Sequence, residues 1–275
     1  MALDFDNYIF DLYGTLVDIH TDEWDMRLWE QMAAIYAVYG ADYTAASLRE
    51  RYESLVKERE AALGKALHTP FPEIDLEGVF AELLRAAPAG HASSFAPGGK
   101  PVCEASAASL RKSCVTFHIA NTFRVLSRSR FRLYDGLIAL FENLKAHGRR
   151  IYLLSNAQEI FTVPEMQVLG IYGFFDGIYI SSRRQLRKPS PDFIGALMAE
   201  QALEPARSVM VGNECEADMG SACSAGIQGV FLNTDGLADA EIERRLALVL
   251  AQHPGADRSS VHVVRSAPFY APLML

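Results

Sequence analysis

Tyr8-Ile9-Phe10-Asp11-Leu12-Tyr13-Gly14-Thr15-Leu16-Val17-Asp18 decides how the rest of the chain is read. An apolar run of β-favouring residues stops at a Gly-Thr pair, which predicts a buried strand and then a turn. Asp11 falls at the carboxyl end of that strand, the edge at which open parallel sheets bind ligands. On this stretch alone the acid serves equally well as the cap of a turn. Three later stretches repeat the pattern, each with a polar group after a predicted strand or at the start of a helix. They are Ser155 in Ile151-Tyr152-Leu153-Leu154-Ser155-Asn156, Lys188 in Arg187-Lys188-Pro189-Ser190-Pro191, and Glu214 with Asp218 in Val209-Met210-Val211-Gly212-Asn213-Glu214-Cys215-Glu216-Ala217-Asp218.

The 275 residues suffice for one large domain or two modest ones with a sizeable core. A net charge of -8 argues against nucleic acid and against an anionic membrane as partners. Met1-Ala2-Leu3-Asp4 carries an acid where a signal peptide has its basic region. No apolar run approaches the roughly 20 residues that span a bilayer. The four cysteines show no CxxC pair, so the expectation is a cytoplasmic protein with reduced thiols, no disulfide framework and no zinc site.

Between the first stretch and Leu133 the apolar spacing is helical. A helix is predicted over residues 24–39, with Thr21 or Asp22 as its N-cap and Gly40 as its stop. Thr44 starts a second, residues 64–71 read as a loop, and 74–84 as a short helix. Residues 86–102, rich in Ala, Pro, Gly and Ser, read as a linker, and 105–129 as one helix or two. The aromatic residues here (Trp24, Trp29, Tyr36, Tyr39, Tyr43, Tyr52) are expected to pack rather than to cage a ligand. After Leu133 strands and helices alternate, which predicts a parallel sheet covered on both faces. Residues 261–264 read as an edge strand or a strap over the core.

Together the four motif-bearing stretches resemble the haloacid dehalogenase-like hydrolase superfamily, over residues 8–18 and 133–233. The resemblance implies an α/β fold, a doubly wound parallel sheet with a Rossmann-like core from residues 1–18 and 133–275. An α-helical cap domain, residues 19–132, would be inserted after the first motif, exclude water and select the substrate. It implies Asp11 as a nucleophile that forms an aspartyl phosphate. Ser155 and Lys188 would bind and offset the charge of the transferred group, and Thr15 and Asn156 would contact the substrate. Mg²⁺ would be held by Asp11, the backbone carbonyl of Tyr13, and Asp218 or Glu214. The implied partner is a small phosphorylated metabolite.

Two positions depart from the family pattern. The residue after Gly212 is Asn213 where the commonest form has Asp. Tyr13 stands where phosphatases of the superfamily carry a second Asp, which protonates the leaving alcohol. A phenol, with a pKa of about 10, is a poor substitute. Either the leaving group needs little proton help, or the cap supplies the acid, or simple phosphomonoesters turn over slowly. The dehalogenase branch carries a tyrosine at the position of Tyr13, so a 2-haloacid dehalogenase-type hydrolase is the enzyme rival. Arg27 is the nearest candidate in the cap for clamping a haloacid carboxylate. A non-catalytic binding protein on the same scaffold is the rival from another class.

Overall fold

The computed structural model describes residues 3–86 and 113–275. The strands are β1 (Asn7–Phe10), β2 (Val17–Thr21), β3 (Arg128–Leu133), β4 (Arg150–Ser155), β5 (Gly177–Ile180), β6 (Ser208–Gly212), β7 (Gln228–Leu232) and β8 (Val261–Val264). The helices are α1 (Met26–Val38), α2 (Ala45–Leu67), α3 (Leu76–Arg85), α4 (Cys114–Ser127), α5 (Leu137–Ala146), α6 (Glu159–Val168), α7 (Ser181–Arg184), α8 (Pro191–Glu200), α9 (Gly220–Ala225) and α10 (Asp239–Ala251). The chain divides into two units, one of residues 1–19, 131–157 and 165–275, the other of residues 20–130 and 158–164. The segment Gln158–Pro164, in the middle of what the sequence reads as core, groups with the second unit.

The first unit is built on a six-stranded sheet in the order β5-β4-β1-β6-β7-β8, with every neighbouring pair parallel. The four residues of β1 are all buried, as a strand covered on both faces must be. On one face Ile9, Tyr152, Leu154 and Met210 pack with Phe193, Ile194 and Leu197 of α8. On the other, Phe10 meets Phe141 of α5 edge-on, with ring centroids 5.5 Å apart. The chain runs outward from β1 through β4 and β5, then returns to β6 on the other side. That reversal makes the carboxyl ends of β1, β4 and β6 a topological switch point, the crevice where ligands bind in such sheets. Residues 261–264 form the edge strand, parallel to β7, which decides between the two readings of that segment.

The second unit is helical. Leu28, Trp29, Met32, Ala33 and Tyr36 form the buried stripe of α1, and Leu48, Tyr52 and Leu55 that of α2. Tyr52, Phe80 and Phe123 meet at centroid distances of 5.4 to 5.9 Å, and Trp29 joins them. The expected packing role holds for Trp29, Tyr36 and Tyr52, but Trp24 is 68% exposed.

Several local expectations are corrected. The N-cap of α1 is Asp25, which accepts from the Arg27 amide at 2.9 Å. Asp22 instead caps the preceding turn, accepting from the amides of Trp24 and Asp25. Helix α2 continues through the expected loop start to Leu67, where His68 takes the left-handed conformation. Residues 128–129 belong to a strand rather than a helix, because β3 pairs with β2 in a separate two-stranded sheet. The helix expected from Met219 begins earlier, with a π-helical turn over Cys215–Met219. The linker over 87–102 and the start of the helix expected from residue 105 lie outside the described residues. Among the described residues Cys114, Cys215 and Cys223 are free thiols, and no helix is long and apolar enough to cross a membrane.

Candidate active site

Asp11 follows β1 directly, and its amide is fixed by the Val211 carbonyl at 2.9 Å. The register aligns Phe10 with both Leu153 of β4 and Val211 of β6, so the residues that end these three strands share one sheet edge. Ser155 Oγ donates to Asp11 Oδ1 at 3.1 Å. Lys188 Nζ donates to the same oxygen at 2.6 Å and to Asp218 Oδ1 at 2.6 Å. Thr15 Oγ1 lies 3.3 Å from Asp11 Oδ2 and 3.1 Å from Asn213 Oδ1. A hydroxyl carries one proton, so Thr15 serves one of them at a time.

Lys188 is 4% exposed and is held by its backbone as well as its ammonium. Asn156 Oδ1 accepts from Lys188 N at 2.7 Å and Asn156 Nδ2 donates to Lys188 O at 3.2 Å. The amide expected to contact substrate is thus engaged in positioning the lysine. Burial acts against the Lys188 charge, but Asp11 and Asp218 outweigh it and hold the ammonium above its usual range. Asp218 is pushed up to about 7, first by burial and further by Asp11, with Lys188 opposing. Its second oxygen, Oδ2, accepts from the Glu214 amide at 2.9 Å. A Cβ on Gly212 would stand 2.1 Å from that oxygen, so only glycine admits this approach. Gly14, at φ +77°, faces Asn213 in the same way.

Glu214 is different. Among the described residues its carboxylate forms no hydrogen bond or ion pair, and it is held above the ordinary range by partial desolvation and then by Asp11. Among the described residues Asp11, Asp218 and Glu214 therefore share the field of one ammonium, that of Lys188. No three His, Cys, Asp or Glu side chains form a ready-made metal cage among the described residues. Mg²⁺ does not require one, since it keeps several waters and takes one or two carboxylates. The oxygen donors here, with an unpaired carboxylate and an excess of negative charge, fit such an ion.

Four contacts escape a reading of the sequence. Tyr13 Oη donates to Glu165 Oε2 at 2.5 Å, and Glu165 is 5% exposed. Thr234 Oγ1 donates to the Gly14 carbonyl at 2.6 Å and Tyr270 Oη to the Thr15 carbonyl at 2.6 Å. Arg132 Nε reaches Asp18 Oδ2 at 3.0 Å. The loop after Asp11 is thus pinned by residues far away in sequence. Arg27, in the helical unit, is paired with Asp25 at 2.7 Å.

A family profile for haloacid dehalogenase-like hydrolases matches residues 5–226, and the chain belongs to that family. The parallel sheet flanked by helices is the core of that family as this chain builds it. Among characterised proteins, glyceraldehyde 3-phosphate phosphatase of Methanothermobacter thermautotrophicus is 28% identical over 120 residues, 44% of this chain and 53% of that protein. The chain thus matches about half the length of that relative. A 2-haloacid dehalogenase structure from Pseudomonas syringae superposes with a TM-score of 0.57 at 16% identity, over 90% of this chain and 99% of that one. A dehalogenase captured with an intermediate superposes at 0.52 and 16% identity, over 99% of each chain. Both show the shared fold.

Proposed function

We propose that this chain is a phosphohydrolase of a small phosphorylated metabolite, assisted by Mg²⁺, with Asp11 as nucleophile and the helical unit as its cap. An Asp11 carboxylate oxygen bonds to phosphorus as the bond to the leaving oxygen breaks. Water then attacks the phosphorus of the aspartyl phosphate, releases inorganic phosphate and returns the carboxylate. Lys188 has three N–H donors and uses two on Asp11 and Asp218, which leaves one for a phosphoryl oxygen. Ser155 can turn its hydroxyl from Asp11 to the same group.

The observation that carries this reading is the geometry of the sheet edge. Lys188 holds Asp11 and Asp218 at 2.6 Å each, and the exposed Glu214, whose amide donates to Asp218 at 2.9 Å, adds a third carboxylate that is unpaired among the described residues. Three acids against one ammonium repel an anionic substrate unless a cation is added. Asp11, the Tyr13 carbonyl and Glu214 would hold Mg²⁺, with Asp218 kept for Lys188. When bound, the ion supplies positive charge to the phosphoryl oxygens. Tyr13 commits its proton to Glu165, so the best substrates are those whose leaving group needs little protonation, such as acyl or aryl phosphates. The distant phosphatase relative supports phosphate hydrolysis in general, its own printed substrate, glyceraldehyde 3-phosphate, being an alkyl phosphate.

Tyr13 and Asn213 favour a second reading, displacement of halide from carbon by Asp11, which needs neither a proton donor nor a metal. One assay separates the two. Phosphate release from acyl, aryl and alkyl phosphates is followed across a Mg²⁺ titration, beside halide release from 2-haloacids. The phosphatase reading expects Mg²⁺-dependent phosphate release, abolished by chelation, and a loss of more than about a thousandfold in Asp11→Asn. Halide release indifferent to chelation moves the chain to the second reading. Full activity in Asp11→Asn removes both.

A further inference from the structure

The helical unit carries an open cavity of about 600 Å³ whose walls are unlike those of a packing defect. Trp24, Trp29 and Tyr52 line it together with Glu23, Glu50 and Glu53. None of these residues belongs to the α/β unit. Glu53 is paired with Arg49 at 2.7 Å. Glu23 is not: among the described residues its carboxylate has no hydrogen bond or ion pair, and burial holds it above the ordinary range although Arg124 opposes. Tyr52 is 9% exposed, and among the described residues it makes ring contacts but no hydrogen bond through its hydroxyl. Glu23 is half-buried and the Tyr52 hydroxyl is not sealed from solvent, so both residues line an opening that a ligand can enter and pair with.

The walls say what chemistry that is. Trp24 is left 68% exposed, and the Arg49 guanidinium already lies 5.0 Å from its ring centroid. The ring accepts a cation on one face and keeps the rest of its surface for another. Arg49 is tethered to Glu53 and to the Trp24 carbonyl, so it is not itself the cation that Glu23 lacks. Lys57 also lines the cavity, exposed and, among the described residues, without an ion pair, and one lysine against three glutamates leaves the lining negative. Aromatic faces attract weakly hydrated organic cations, whereas a metal ion would need a cluster of ligands that the described residues do not form. We infer that this cavity binds an organic ammonium group, with the Glu23 carboxylate as counter-ion, the Tyr52 hydroxyl as acceptor or bridge, and Trp24 and Trp29 as the aromatic walls. The inference is independent of the chemistry at Asp11.

Trp24 and Trp29 are the two tryptophans of the chain, so intrinsic tryptophan fluorescence of the whole protein reports on this cavity alone. The probes are choline, tetramethylammonium and the neutral isostere of choline, 3,3-dimethylbutan-1-ol. Saturable quenching or enhancement by choline is expected, with the isostere weaker by about tenfold or more. Glu23→Gln is expected to weaken choline about tenfold and leave the isostere unchanged. Tyr52→Phe, which keeps the ring in the aromatic core, is expected to weaken choline several-fold. Equal binding of choline and its isostere overturns the inference, as does the absence of a saturable signal with either cation. If Glu23→Gln does not fold, as judged by circular dichroism, the isostere comparison on the unaltered protein and Tyr52→Phe decide the matter. Because none of these readouts involves turnover, a failed phosphatase assay and a failed binding assay are told apart.

Discussion

Asn156 holds Lys188 at both ends of its own side-chain amide, accepting from the lysine N–H at 2.7 Å and donating to its carbonyl at 3.2 Å. The ammonium at the centre of the site is therefore aimed by the backbone as well as by the two acids it touches. The Lys188–Pro189 peptide that follows is cis. Asn156→Ala removes both hydrogen bonds and should lower stability by about 1–3 kcal/mol. Turnover should fall by more than the affinity for substrate, because the misplaced group acts on charge that develops in the transition state. Denaturant unfolding and a kcat against KM comparison measure the two effects.

Gly212→Ala places a methyl carbon 2.1 Å from Asp218 Oδ2. Asp218 must swing away and release Lys188. The expected outcome is a loss of about 1–3 kcal/mol from overpacking, together with a fall in activity that Asp218→Asn reproduces. Activity equal to that of the unaltered chain in Gly212→Ala would show that the Asp218–Lys188 contact is dispensable.

The bond from Tyr13 to Glu165 gives two opposite expectations at one position. Tyr13→Phe deletes a hydrogen bond to a buried carboxylate and should cost about 1.5–3 kcal/mol in a denaturation series. Tyr13→Asp puts an acid where phosphatases of the family have one. It should raise turnover of alkyl phosphates relative to aryl phosphates, because only the alkoxide needs the proton. An unchanged alkyl-to-aryl ratio would place the proton donor elsewhere.

Tyr270→Phe leaves the ring in place and removes its hydrogen bond to the Thr15 carbonyl. Burial holds that phenol well above its usual range, so it remains a neutral donor at any working pH. The expected loss is about 0.5–1.5 kcal/mol, with faster hydrogen exchange at the amides of residues 12–16 by mass spectrometry.

The sheet was legible because β1, β4, β6 and β7 are short apolar runs that end in Gly or a polar group. Asp11, Ser155, Lys188 and Asp218 could be anticipated as neighbours for the same reason: each follows a strand or opens a helix at the same edge. Strand β3 was not legible. It reads Arg-Ser-Arg-Phe-Arg-Leu, and its charges face solvent in a two-stranded ribbon, so no apolar signal marks it. Glu165 was equally silent. It lies 152 positions from Tyr13, in a helix whose pattern gives no reason for a buried acid. The role of Asn156 is set by the path of the backbone after β5, which side-chain periodicity does not describe.

The tie between Thr15 and Tyr270 spans 255 positions, and the contacts of Asp11 with Ser155 and Lys188 span 144 and 177. Contacts this distant lose loop-closure entropy before they gain anything, which slows folding. A nascent chain that has just released β1 carries Tyr8, Ile9 and Phe10 with neither flanking strand yet made, and domains of this size pass through collapsed intermediates while they wait. The loop that bears Asp11 therefore precedes in the chain the partners that fix it, and is among the last parts to reach its working shape. Refolding followed by the return of activity should lag well behind refolding followed by helix content.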